Sequence, residues 1–262
     1  MSERRFQWGT KQPGFLVILI DQSGSMSTRN HHIEVAKAVQ DAVFECFSRC
    51  ISGADVKDRF SMSLIGYGDS SAQEIWSGHI DDEELGKELY EAHNRNTSFF
   101  PAKASGGTPM TEALELAYKL IQQRNADLED QKNKEEINGI SAPIVINITD
   151  GMPNDESTAT AAAQKLMDIK CEDGNVILFN MHISARGAKE LLFPATEADL
   201  DGSPEARFLF NISSPLDDDM VNNAYANGFE SVKAGVRGMI TNASGKTIPR
   251  FIQFGSSMSL MK

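Results

Sequence analysis

The stretch Phe15-Leu-Val-Ile-Leu-Ile20-Asp21-Gln22-Ser23-Gly24-Ser25 decides the fold of this chain. Its first six residues are apolar without interruption, which is typical of a strand that is buried on both faces in the middle of a parallel sheet. Asp21 ends the run, and a loop rich in serine and glycine follows. The stretch therefore predicts a central strand that delivers a carboxylate to one end of the sheet.

The rest of the chain alternates between predicted strands and predicted helices. A further buried strand is predicted over 143–148, directly before Thr149-Asp150-Gly151. Further strands are predicted over 60–67, 176–183 and 208–212, with a short antiparallel partner at 73–76. Helices are predicted over 31–50, 82–92, 109–128, 158–170 and 218–236. This alternation predicts an α/β fold: a doubly wound, mostly parallel central sheet with helices on both faces, Rossmann-like, and one short antiparallel edge strand.

The domain organisation follows from the same pattern. One domain is predicted over 14–240, preceded by an N-terminal extension (1–13) and followed by a C-terminal tail (241–262). Within the tail, residues 249–254 suit either an added strand or a segment that packs on a partner, and the pattern does not choose between these.

Composition narrows the classes of partner. The 262 residues carry a net charge of -12, and an acidic surface repels phosphate backbones and anionic lipid. Nucleic acid and membrane surfaces are therefore not expected as partners. Three cysteines are too few for a disulfide framework, and no apolar run reaches the roughly 20 residues of a membrane span. We expect a cytoplasmic protein.

Oxygen-bearing side chains fall at the predicted carboxyl ends of the strands, where ligands bind in open parallel sheets. Asp21 and Asp150 each follow a buried strand, and Ser23 and Ser25 continue the first loop. Thr108 lies between a Gly-Gly pair and Pro109, at the start of a predicted helix. Each feature also has an ordinary explanation, as a turn residue or a helix cap. Together, in this order, they favour a metal site.

The five side chains offer only oxygen. Hard oxygen ligands select Mg²⁺, with Mn²⁺ and Ca²⁺ as alternatives, over Zn²⁺ or Cu²⁺. The proposed metal ligands are Asp21, Ser23, Ser25, Thr108 and Asp150.

This arrangement resembles the metal-ion-dependent adhesion site of von Willebrand factor A (VWA) domains. The resembling residues are Asp-x-Ser-x-Ser at 21–25, Thr108 in its Gly-rich loop, and Asp150 after a later strand. The resemblance implies that the hydroxyls contact the metal directly, that the Asp residues often act through water, and that an Asp or Glu of a protein partner completes the shell. A looser likeness, to bacterial intracellular VWA proteins of the tellurium-resistance-associated type, implies a Ser/Thr kinase or protein phosphatase as partner.

The predicted function is thus metal-dependent protein binding and not catalysis. Two alternatives remain: a metal-dependent hydrolase acting on phosphate esters, and a structural subunit whose site has lost its metal. His31 and His32 are interpreted as solvated surface residues, and Cys46 and Cys50 as part of a buried helix face. The residues expected to shape specificity around the site are Met26, Arg29, Met152, Pro153 and Asn154.

Overall fold

The computed structural model describes residues 7–183, 189–230, 232–244 and 246–257. The strands are β1 (Gly14–Asp21), β2 (Ile51–Ser52), β3 (Asp55–Val56), β4 (Phe60–Gly68), β5 (Ser71–His79), β6 (Ile144–Thr149), β7 (Lys170–Cys171), β8 (Gly174–Asn175), β9 (Ile177–His182), β10 (Leu191–Leu192) and β11 (Met239–Thr241). The helices are α1 (His31–Cys50), α2 (Glu83–Arg95), α3 (Met110–Asn133), α4 (Glu156–Met167), α5 (Pro204–Asn211), α6 (Asp218–Ala226) and α7 (Thr247–Ser257).

A seven-stranded sheet in the order β10-β11-β9-β6-β1-β4-β5 forms the centre of the molecule. β1 pairs in parallel with β4 and β6, and the parallel pairing continues through β9 to β11. The parallel strands therefore place their carboxyl ends together, at what we call the carboxyl end of the sheet. The opposite end is the amino end. The predicted α/β fold class is confirmed.

Both edges of the sheet carry an antiparallel strand. The partner predicted at 73–76 is the nine-residue β5, longer than expected because its pairing with β4 continues past a register shift between Leu64 and Ile65. The two-residue β10 closes the other edge against β11. It was not predicted because so short a strand has no periodicity to detect.

β1 is buried along its whole length, and its side chains alternate between two cores. Leu16, Ile18 and Ile20 enter the core covered by α1, α2, α6 and α7. Phe15, Val17 and Leu19 enter the core covered by α3, α4 and α5. Successive side chains of a strand point to opposite faces, so helices on both faces require an uninterrupted apolar run.

The last third of the chain differs from the prediction. Residues 208–212, predicted as a strand, lie mostly in helix α5, because Ser203 caps the helix by accepting from the Ala206 N–H and Pro204 occupies its first turn. The helix predicted over 218–236 ends at Ala226. Beyond it, Gly228 and Gly235 adopt positive φ angles of 74° and 88°, which a helix does not permit.

The segment 249–254 lies in helix α7 and is not a strand. Pro249 is tolerated because it lies in the first turn, where a backbone N–H has no partner within the helix. Phe254 is fully buried and its ring stacks 5.3 Å from that of Phe179 on β9. At the other end of the chain, Trp8 is buried against Phe60. The division at residues 13 and 240 stays a prediction, although both outer segments contribute to the core.

Within the described ranges, none of the helices is both long enough and apolar enough to cross a bilayer.

Candidate metal centre

The predicted ligands meet at the carboxyl end of the sheet. Asp21 is the last residue of β1, and Asp150 directly follows β6, the neighbouring strand. Because the two strands are parallel and adjacent, both carboxylates arrive at the same crevice. The Asp21 side chain is fully buried, and that of Asp150 is only 5% exposed.

Asp21 is held by hydrogen bonds to both of its carboxylate oxygens. The Ser23 backbone N–H donates to Oδ1 at 2.8 Å, and the Thr149 hydroxyl donates to Oδ2 at 2.5 Å. The first bond closes a local turn in the loop after β1, whereas the second joins the end of β1 to the neighbouring strand β6. The orientation of the carboxylate is therefore set before any ligand binds.

Three further oxygens converge beside it. Ser23 Oγ and Ser25 Oγ lie 3.0 Å apart, and Ser25 donates to Asp150 Oδ1 at 2.6 Å. Ser23 is buried and Ser25 is exposed. The cluster is thus anchored inside the protein and open to solvent on one side.

Thr108 approaches the same space from the loop before α3. Gly24 N–H donates to the Gly106 carbonyl at 2.9 Å, and Thr108 N–H donates to Asn154 Oδ1 at 2.8 Å. A Cβ placed on Gly151 would lie 3.8 Å from Ser25 Oγ and 3.9 Å from Thr108 Oγ1. The Thr108 hydroxyl therefore faces the serine cluster across Gly151.

The ordinary explanation of Thr108 as a helix cap does not apply. Helix α3 begins at Met110, the residue in the capping position is Pro109, and no side chain caps that end. The Gly-rich turn before it instead requires the left-handed backbone that Gly106 adopts, with φ of 68°. The loop conformation thus serves to bring Thr108 to the sheet end.

Electrostatics favour a cation in this crevice. Burial, together with the nearby charge of Asp150, raises the pKa of Asp21 from 3.8 to about 6, although hydrogen bonds from Ser23 and Thr149 oppose the shift. A buried carboxylate facing a second carboxylate is stabilised by a positive charge. The donor set is entirely oxygen, which fits Mg²⁺, Mn²⁺ or Ca²⁺. The residues present therefore fit a hard divalent cation, while their role as ligands stays a prediction.

His31 corrects the interpretation of the two histidines as solvated. It is 5% exposed, and its Nδ1 lies 3.9 Å from Asp150 Oδ2. That nitrogen is shielded from solvent and has no hydrogen-bond partner among the described residues. His32 is half-buried, with Nδ1 3.0 Å from the Met26 carbonyl. Left-handed backbone at Arg29 and Asn30 turns the chain so that α1 begins inside the crevice.

The residues expected around the site separate into three groups. Met26 and Pro153 are both buried and cannot contact a partner directly. Met26 lies in the core beneath the loop. Arg29 is exposed and Met152 is half-buried. Asn154 is exposed, yet its amide is engaged in holding Thr108.

Two positioning residues were not identified from the sequence. Thr149 was noted only as the residue before Asp150, and Asn154 was expected to shape specificity. The signal for Thr149 was its position as the last residue of β6, where its hydroxyl reaches the end of the adjacent β1. Asn154 carried no local signal, because it reaches Thr108 across 46 residues of chain.

Comparison with known sequences identifies one family. A family model described as the von Willebrand factor type A domain matches residues 16–153. This range contains all five predicted ligands. No curated protein sequence matches the chain.

The chain also resembles solved structures from several organisms. Pilus adhesin SpaC from Lactobacillus rhamnosus GG is 13% identical with a TM-score of 0.55, covering 97% of this chain and 31% of that one. Proximal thread matrix protein 1 from the mussel byssus is 14% identical with a TM-score of 0.51, covering 97% and 49%. Manganese-loaded TRAP protein from Plasmodium vivax is 24% identical with a TM-score of 0.40, covering 67% and 58%. The chain thus spans less than two thirds of each relative, and the likeness concerns the fold alone.

Proposed function

The chain belongs to the von Willebrand factor type A domain family, and from this premise we propose that it is a metal-dependent protein-binding module. Domains of this family often mediate metal-dependent protein interactions. In the proposal, Asp21, Ser23, Ser25, Thr108 and Asp150 hold Mg²⁺, or Mn²⁺ or Ca²⁺ in its place. When bound there, the ion would supply an electrophilic position for one carboxylate oxygen of an Asp or Glu on a partner protein.

One observation carries the proposal: Ser23 Oγ, Ser25 Oγ and Asp150 Oδ1 converge at a sheet end that is buried below and open above. A site closed on all sides would hold an ion for structural reasons only. Here the exposed Ser25 leaves one side accessible to an incoming group. Because hydroxyls are neutral ligands, an acidic group does not meet a fully anionic shell.

The surface around the crevice would provide the rest of the contact. A stable protein interface buries on the order of 1,600 Å² in total, far more than one carboxylate covers. Arg29 is exposed beside the site, and Ile33 on the first turn of α1 is 52% exposed. A cation and an apolar side chain next to the metal suit a partner segment that carries an acidic residue beside an apolar one.

The finer assignment rests on the looser resemblance alone. It comprises a bacterial, cytoplasmic setting, a tellurium-resistance-associated subtype and a Ser/Thr kinase or protein phosphatase as partner.

The decisive experiment has two stages. Calorimetric titration of Mg²⁺ and Mn²⁺ should show one saturable site in the wild type that is lost in Asp150→Ala and kept in Glu112→Ala, which removes an exposed carboxylate from α3. Proteins retained by the immobilised wild type in Mg²⁺ should then be released by chelator. Retention that is equal in chelator and in Asp150→Ala would refute the metal bridge, and metal-dependent turnover of a phosphate ester would favour the hydrolase alternative.

A further inference from the structure

A second group of charged side chains lies at the amino end of the sheet, far from Asp21 along β4. β4 is parallel to β1, and Asp21 pairs with Tyr67 near the end of β4. The start of β4 is therefore at the opposite end of the sheet. There β4 pairs with the end of β5, with Ser61 opposite His79.

This antiparallel register brings three metal-binding side chains together. Asp58 precedes β4 by two residues, His79 ends β5, and Asp81 follows in the turn before α2. One ligand atom from each residue lies within 4.8 Å of the other two, and Asp58 Oδ2 lies 2.9 Å from His79 Nδ1. Ligands at 2.0–2.2 Å from one ion are roughly 3–4 Å apart. A small movement of these exposed side chains would therefore bring all three ligand atoms within reach of one ion.

Asp58 has an acceptor that nothing in the described structure satisfies. Its Oδ2 faces His79, while its Oδ1 is shielded from solvent and has no hydrogen-bond partner among the described residues. A carboxylate oxygen in that position is ordinarily paired. The side chain as a whole is 38% exposed, and that of His79 is 65% exposed. Solvent could therefore supply the remaining ligands of an ion held there.

Two other side chains nearby, Asp82 and Cys50, do not compete as ligands. Asp82 accepts a hydrogen bond from Leu85 N–H and caps α2. Burial raises the pKa of the Cys50 thiol to about 11, so it stays protonated and is not a thiolate ligand at neutral pH. The hydrogen bond to Asp58 raises the pKa of His79, so a metal ion competes with a proton for this imidazole.

We propose that Asp58, His79 and Asp81 form a second, solvent-open cation site that binds a borderline divalent metal such as Zn²⁺. Imidazole combined with carboxylates suits Zn²⁺ and similar ions, whereas the oxygen-only cluster at the carboxyl end suits Mg²⁺. Three ligands on flexible, exposed positions predict modest affinity and fast exchange. The site would tie the β4–β5 edge to the start of α2.

The test is calorimetric titration of Zn²⁺ into the full chain in saturating Mg²⁺, which occupies the other cluster. The wild type should bind one equivalent that His79→Ala and Asp58→Asn each weaken at least tenfold. His93→Ala, which removes an exposed histidine from α2, and Asp55→Asn, which removes a neighbouring exposed charge, should leave binding unchanged.

Circular dichroism of each variant checks that the fold is intact. Co²⁺ in place of Zn²⁺ gives a second measurement, because paramagnetic shifts should appear at His79 and not at His93. Absence of Zn²⁺ binding to the wild type, or equal binding by His79→Ala, would overturn the proposal.

Discussion

The two ends of the central sheet collect charged side chains in opposite ways. At the carboxyl end, Asp21 and Asp150 are almost wholly withdrawn from water and are held by hydroxyl donors. At the amino end, Asp58, His79 and Asp81 remain partly or largely exposed. The first group consists of oxygen ligands only, and the second includes an imidazole.

This difference in burial determines which of the two clusters needs a bound cation to compensate its charge. A buried carboxylate that faces another must be compensated by a proton or a metal, which is why the pKa of Asp21 is raised to about 6. Exposed groups are compensated by water and dissolved ions at little cost. Loss of metal should therefore affect the stability and chemistry of the carboxyl end and leave those of the amino end nearly unchanged.

The largest expected effect is on Mg²⁺ binding at the carboxyl end. Asp21→Ala removes a preoriented carboxylate and should weaken Mg²⁺ binding by at least about 100-fold, equivalent to about 2.7 kcal/mol. Zn²⁺ binding at the amino end should not change, because the two clusters occupy opposite ends of the sheet. Calorimetry with each ion measures both. If Asp21→Ala bound Mg²⁺ as tightly as Glu112→Ala does, the carboxyl-end cluster would not be the Mg²⁺ site.

A smaller loss is expected from Thr149, which contacts Asp21 and is not itself a proposed ligand. Thr149→Val keeps the shape of the side chain and removes the donor 2.5 Å from Asp21 Oδ2. Groups that orient a metal ligand typically contribute 10- to 100-fold in affinity, so we expect a loss of about that size. Thr160→Val on α4 removes a hydroxyl that bonds only within its own helix and should have no effect. Equal affinities of the two variants would show that Asp21 is positioned without Thr149.

Thr149 also illustrates what the sequence could and could not predict. The convergence of the proposed ligands was predictable because each follows a strong local signal, such as the apolar run that ends at Asp21 or the Gly-Gly turn before Thr108. Thr149 and Asn154 act through contacts with distant parts of the chain, at separations of 128 and 46 residues. The amino-end cluster depends on the β4–β5 register, and a one-residue slip in that register would separate its members.

The same distinction explains the errors in the fold. The central strands β1, β4, β6 and β9 were identified from their apolar patterns, whereas the two-residue strands β2, β3, β7 and β8 were too short to give a pattern. The short apolar segment 208–212 is compatible with either a strand or a helix. It is helical because Ser203 caps the N-terminus of α5. The burial of His31 could not be predicted from the neighbouring sequence, since it depends on the left-handed backbone at Arg29 and Asn30.

The stability of the metal-free protein should depend on pH through Asp21. A carboxyl whose pKa is raised on folding, here from 3.8 to about 6, stabilises the fold when protonated, and this contribution is lost as pH rises through 6. In chelator, lowering the pH from 7 to 5 should therefore stabilise the protein by about 1.4 kcal/mol through this group. Saturating Mg²⁺ should reduce the effect, because the ion competes with the proton.

Thermal unfolding in chelator and in Mg²⁺ measures this dependence. Asp150, Tyr67 and His31 also face the crevice, so the relevant quantity is the difference between the wild type and Asp21→Asn, which retains all three. A difference that does not vary between pH 5 and 7 would contradict the assignment to Asp21.

The smallest effect is expected at the amino end. His79→Gln removes the ion pair with Asp58, whose side chains are 65% and 38% exposed. Exposed pairs contribute about 0–1 kcal/mol because water and salt screen them, so the free energy of unfolding in chelator should fall by less than about 1 kcal/mol. Urea denaturation at low and high salt measures it, with His93→Gln as the matched control. A loss above about 2 kcal/mol, well beyond that range, would mean that the amino end is a structural centre like the carboxyl end, because its groups would then depend on one another for compensation and not on solvent.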